Sequence, residues 1–101
     1  MESIIDPGSD RCFLCDSKQF LEEHHIFNGA LRTKSEQYGL KVRLCADCHR
    51  HSRRSAHQCK ETKRYLQRIA QIAAMTFYEW DVAQFVAKFY RNYLNQGEDT
   101  P

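Results

Sequence analysis

Glu22-Glu23-His24-His25-Ile26-Phe27 lies between two cysteine pairs, Cys12-Phe13-Leu14-Cys15 and Cys45-Ala46-Asp47-Cys48, and the second pair runs directly into His49. A C-x-x-C turn delivers two thiolates from one tight loop. Two such turns supply the four soft ligands that tetrahedral zinc takes. Cys12, Cys15, Cys45 and Cys48 therefore make a candidate structural zinc frame. The 29 residues between the pairs carry His24 and His25, and His57 follows the second pair. These histidines are surplus to the frame, which predicts two metal sites, one structural and one chemical.

Three rival readings compete for the cysteines. Cys45-Ala46-Asp47-Cys48-His49 spells a c-type haem attachment site, but haem attachment requires export and leaves Cys12 and Cys15 unexplained. A redox dithiol lacks a βαβ pattern around either pair. A zinc frame with no chemistry, a module that binds nucleic acid or protein, is the strongest rival. Cys59 is the fifth cysteine and the one to leave out.

A chain of 101 residues makes one domain. Residues 1–60 are rich in Cys, His, Arg, Ser and Asp, and large apolar side chains are about twice as dense in 65–94. A half with so thin a core needs a staple, and a metal is one. No apolar run reaches membrane-span length, and residues 1–10 are too acidic and polar for a signal peptide. The chain is accordingly read as intracellular, where paired cysteines more often hold metal than form disulfides. Net charge is +2, yet residues 32–68 hold eleven Lys or Arg against three acids. A basic middle points to a polyanion, with nucleic acid the first candidate.

The pattern predicts a loose, turn-rich lead-in over 1–10 and a knuckle at 11–17. A strand over 20–27 ends at the turn Asn28-Gly29. A loop or short helix over 29–38 is closed by Gly39 as a left-handed cap. Residues 40–44 alternate, with Leu40, Val42 and Leu44 on one face and Lys41 and Arg43 on the other, as in a half-buried strand. Ser55 and Gln58 fit a capping box for a helix over 56–75, with Tyr65, Leu66, Ile69, Ile72 and Ala73 as its apolar face. Thr76 and Glu79 fit a second box, for a helix running to about residue 95 and stopped near Gly97, with Trp80, Phe85, Phe89 and Tyr93 as its core residues. The tail 97–101 is expected to fray.

A strand ending in His24-His25, a loop, a second strand, then Cys45-x-x-Cys48-His49 and a helix resembles the HNH (ββα-metal) nuclease family. The runs His24-His25-Ile26-Phe27, Lys34-Ser35-Glu36-Gln37-Tyr38-Gly39-Leu40 and Phe89-Tyr90-Arg91-Asn92-Tyr93-Leu94 are similar to small phage and prophage members, so the likeness covers residues 11–94. It implies an α+β fold, with a zinc-stapled ββα-metal core over 11–58 and two C-terminal helices over 56–95. It implies an endonuclease that hydrolyses DNA phosphodiester bonds in the cytoplasm of a bacterial or phage-infected cell, with no membrane partner and no small-molecule substrate. By the same likeness His24 and His49 bind a catalytic metal, His25 is the general base, and His57 is the third ligand. Leu40 fills the position of the family's middle Asn, so the group that braces His25 must be another, Asn28 or a backbone carbonyl. Arg53 stands where the family often has a helix ligand, so the chain after His49 must turn to bring His57 back.

Phosphodiester hydrolysis needs a deprotonated water, and a histidine near the reference pKa of about 6.5 is largely neutral at pH 7 and can accept that proton. Imidazole ligands suit Mn²⁺, Ni²⁺ or Zn²⁺ better than Mg²⁺, though all four are candidate catalytic ions beside the structural Zn²⁺. Arg32, Lys34, Lys41, Arg43, Arg50, Arg53 and Arg54 are the candidate phosphate contacts, and His51 belongs to the same basic surface.

Overall fold

A computed structural model describes residues 1–94 of the chain. It is a small α+β fold built on one antiparallel pair of strands, β1 (Leu21–His25) and β2 (Lys41–Cys45). The described residues also form three α-helices, α1 (Arg32–Tyr38), α2 (Lys60–Tyr78) and α3 (Val82–Phe89). A short 3-10 turn at Gly29–Leu31 leads into α1. A single wide π-helical turn, Asp47–His51, follows β2.

The register pairs Leu21 with Cys45, His24 with Val42 and His25 with Lys41. It places His24 and Glu22 on one face of β1 and His25 and Glu23 on the other. Past the strand end, Phe27 is clamped by Ser35, whose Oγ donates to the Phe27 carbonyl at 2.6 Å and accepts from its N–H at 2.9 Å. Gly39 caps α1 at φ 73°, as the sequence predicted, and it also admits the lead-in. A Cβ there would stand 2.6 Å from the Glu2 carbonyl oxygen. Residues 1–10 are tied to this end by Ile4 N–H donating to the Gly39 carbonyl, Ser3 Oγ to the Lys41 carbonyl, and Arg43 to the Ser9 carbonyl.

Ile26, Phe27, Leu40, Val42 and Leu44 from the sheet region meet Leu66, Ala70 and Ala74 of α2 and Phe85, Phe89 and Tyr93 in one core. Phe27 sits at its centre, with ring centroids 4.9 Å from Phe89 and 4.7 Å from Tyr93. Leu40, Val42 and Leu44 are buried together, as the alternation predicted. Lys41 is buried as well, because Glu23 and Glu36 neutralise it.

Both C-terminal helices depart from their expected bounds. α2 begins at Lys60, not Ala56. Ser55 Oγ does accept from Gln58 N–H at 3.2 Å, but this closes one turn of the preceding loop and starts no helix. Thr76 stays inside α2, which runs on to Tyr78, whose hydroxyl donates to the Tyr38 carbonyl at 2.8 Å. The box that starts α3 is Asp81 with Gln84, joined by two reciprocal bonds of 2.8 Å. α3 ends at Phe89 with Tyr90 at φ 71°, and the expected stop near Gly97 and the tail lie outside the described residues.

The buried face of α2 is also rotated from the expected one. Leu66, Gln67, Ala70, Gln71 and Ala74 face inward, while Tyr65 and Ile72 are 49% and 52% exposed. Gln71 explains the rotation: its carbonyl accepts from Tyr93 N–H at 2.7 Å and its amide donates to Asn92 at 3.0 Å. It thereby satisfies backbone that α3's exit brings into the core, and Ala70 and Ala74 give the close approach. Phe85, Phe89 and Tyr93 are buried as expected; Trp80 is half-buried, stacked on Tyr78 at 4.8 Å.

Candidate metal centres

The two knuckles close on each other. Cys12 N–H donates to the Ser17 carbonyl at 2.7 Å and Asp16 N–H to the Cys12 carbonyl at 2.9 Å, folding the first pair into a tight turn. Phe13 N–H donates to the Arg43 carbonyl at 2.8 Å, which fastens that turn to β2 and so to Cys45. All four Sγ atoms lie within 4.8 Å of one another, and Cys15 and Cys45 are 3.6 Å apart. A tetrahedral zinc with bonds of 2.3 Å needs sulfurs about 3.8 Å apart, so the frame can hold a structural metal such as zinc. The thiols favour it chemically. Against the cost of burial, backbone N–H groups of Cys45, Cys15 and Leu14 bring Cys12 down to about 7. Burial and the crowding of Cys45, Cys15 and Cys12 push Cys48 up, so complete ionisation calls for a cation at the centre.

The second cluster is made of His24, His49 and His57, whose ring nitrogens also gather within 4.8 Å. Three elements deliver them. His24 comes from β1, and His49 from the π-helical turn that begins within the second knuckle. His57 comes from the loop before α2. That loop folds back on the turn: Ala56 N–H donates to the Cys48 carbonyl at 2.7 Å and His57 N–H to the His49 carbonyl at 3.3 Å. The reversal expected from the eight-residue spacing is thus built by two backbone bonds. His49 and His57 bring their Nε2 atoms to 3.1 Å. Two imidazole nitrogens on one tetrahedral ion at 2.0–2.1 Å stand about 3.3 Å apart, so this donor set fits a divalent transition metal.

Burial and a carboxylate anchor suit the triad to a cation. Burial holds His24 down to about 3, with the neighbouring His49 and His57 adding to the effect, so its ring is neutral and keeps a lone pair. Burial, then His49 and Lys63, lowers His57 in the same direction. His49 donates its Nδ1–H to Glu22 Oε1 at 2.7 Å, which frees Nε2 for the cluster, and Arg50 holds the other Glu22 oxygen at 2.7 Å. His49 and then Arg50 keep the Glu22 carboxyl below its ordinary range. An imidazole anchored by a carboxylate in this way is a better-oriented and more basic ligand. Glu22 escaped the sequence reading, although its place two residues before His24 puts it on the same strand face.

His25 projects to the other face, its side chain 9% exposed, and donates Nε2–H to Glu36 Oε1 at 2.8 Å. Glu36, not Asn28, is therefore the group that orients it. Glu36 also receives Lys41 at 3.0 Å and the Met1 ammonium at 2.8 Å. The ammonium, His25 and Lys41 together hold its carboxyl well below the usual range. Glu23, His25 and Glu36 form a third group of potential ligands, but Lys41 already supplies the positive charge among them. In spite of facing opposite ways, His24 and His25 line one cleft of about 240 Å³, together with Glu23, Asn28, Arg32, His49 and His57.

The seven candidate phosphate contacts separate. Arg32 opens into the histidine cleft. Lys41 does not qualify, since its ammonium is committed to Glu23 and Glu36. Arg50 is paired with Glu22, and Lys34 donates to the Lys88 carbonyl at 2.6 Å. Arg43 is held by Ser9, while Arg53 and Arg54 are exposed, Arg54 facing a different cleft beside Cys48. Among the described residues no helix is long and apolar enough to cross a membrane. No protein-family model matches the chain, and no match is found among curated proteins or among solved structures.

Proposed function

We propose that the chain is a metal-dependent endonuclease of the HNH type that hydrolyses DNA phosphodiester bonds. One observation carries this reading: three imidazoles from β1, the π-helical turn and the following loop converge within 4.8 Å, and a fourth histidine, oriented by a carboxylate, shares their cleft. A zinc-stapled binding module has no need of the second cluster.

His24, His49 and His57 would hold the ion. A divalent metal bound there supplies Lewis acidity, stabilising charge on the phosphate and on the leaving oxygen. The residues do the rest. His25 has its Nε2–H fixed on Glu36, so the neutral ring presents Nδ1 as the nitrogen that accepts a proton from water. Glu36 stabilises the imidazolium that results, since it is already an anion held by Lys41. Arg32, exposed on the cleft wall, is placed to bind a phosphate oxygen.

Zinc-loaded protein should bind two metals per chain when Mn²⁺ or Ni²⁺ is added, and should then nick supercoiled plasmid. A chelator should abolish nicking. One metal per chain and intact plasmid would leave only the zinc module.

A further inference from the structure

We propose that a basic groove along the start of α2 is the track for the phosphate backbone of a DNA strand, leading it to the histidine cleft; the inference rests on the nuclease reading and extends it to how substrate is held. The groove has a volume of about 450 Å³ and draws Lys60, Lys63, Arg64 and Arg91 into its walls, with no carboxylate lining it among the described residues. Lys60, Lys63, Arg64 and Gln67 recur at the spacing of one helix face. The acid of this stretch, Glu61, faces away, into the cleft beside Cys48 and Tyr65. Among the described residues none of these four cations makes an ion pair, and Arg91 only covers the ring of Tyr93 at 5.4 Å. They contrast with Lys41 and Arg50, whose charges are spent on Glu23, Glu36 and Glu22.

Continuity fixes the occupant. His57 lines this groove and the histidine cleft alike, so a polyanion lying on α2 leads directly onto the triad, and Glu23 on the cleft wall is paired with Lys41. Four cations without an ion pair among the described residues, on a path that ends at a candidate metal site, suit an extended chain of phosphates, which a single small anion would not fill. Such contacts give affinity with steep salt dependence and little choice of sequence.

The test measures binding of a short fluorescent DNA duplex by anisotropy, with zinc-loaded protein and no added Mn²⁺ or Ni²⁺, across a salt series. The Lys63→Glu/Arg64→Glu variant should bind at least about tenfold more weakly, with a log K against log salt slope shallower by about two. The Arg11→Glu/Lys18→Glu variant, which carries the same charge change on the exposed first knuckle, should stay within about threefold of wild type. Should the first variant lose its thermal transition, Lys60→Gln/Lys63→Gln replaces it, with weaker binding again expected. Wild-type affinity and slope in the groove variant, equal loss in both double variants, or no binding by the wild type overturns the proposal. Groove-dependent binding without nicking would keep the track and remove the nuclease; nicking with groove-independent binding would do the reverse.

Discussion

Glu36 Oε1 stands 2.8 Å from Nε2 of His25, across eleven residues of chain, and the same carboxylate receives Lys41 at 3.0 Å. One acid thus orients the proposed base and neutralises a buried lysine. Glu36→Ala should lower the plasmid-nicking rate at saturating DNA by about tenfold or more while leaving DNA affinity near wild type, because it removes orientation and leaves the base in place. Glu36→Gln, which can still accept from Nε2–H, should recover part of the rate. Equal rates for wild type and Glu36→Ala would remove Glu36 from the mechanism.

The depressed carboxyl of Glu36 has a consequence for stability. A group whose folded pKa lies below its unfolded value adds stability that is present above the unfolded value, about 4.3 for Glu, and is lost as pH falls through the folded one. Wild type should therefore lose thermal stability more steeply than Glu36→Gln as pH is lowered from about 5 to about 3. Parallel melting curves for the two proteins over that range would contradict the ion cluster.

Glu22 anchors His49, so Glu22→Ala should weaken binding of the second metal by about 10- to 100-fold without releasing the zinc of the cysteine frame. Isothermal titration with Mn²⁺ or Ni²⁺ on zinc-loaded protein reads this. An unchanged affinity would mean that Nδ1 of His49 needs no carboxylate partner.

Cys45 links the frame to the sheet through its pairing with Leu21. Cys45→Ala should release the structural metal and cost about 2 kcal/mol or more, lowering Tm by roughly 8–16 °C in a domain of this size. A melt and a zinc content equal to wild type would count against the frame.

What was legible in the sequence was local. The C-x-x-C turns, the shared burial of Leu40, Val42 and Leu44 and the left-handed Gly39 each depend on a few consecutive residues, and each is found as expected, although Lys41 between them is buried too. Helix boundaries failed where two capping signals competed. Ser55 with Gln58 caps a turn because the loop is held to Cys48 and His49, and the Asp81–Gln84 box starts α3 where Thr76 does not. The buried face of α2 was misread because Gln71 is polar yet buried, in exchange for bonds to Asn92 and Tyr93 some twenty residues on. In the candidate site, the histidines showed themselves as residue types. Their supports, Glu22 and Glu36, did not, since a carboxylate reveals its partner only once the chain has folded. Lys41 was misassigned for the same reason: its two acids come from β1 and α1.

The proposed division of labour between His24 and His25 meets its most direct test in one comparison. Wild-type and His25→Ala proteins, each carrying zinc and a second bound Mn²⁺ or Ni²⁺, are incubated with supercoiled plasmid. Nicking by the wild type and none by His25→Ala, with two metals retained in both, is the predicted result. Equal nicking by the two proteins would contradict the account.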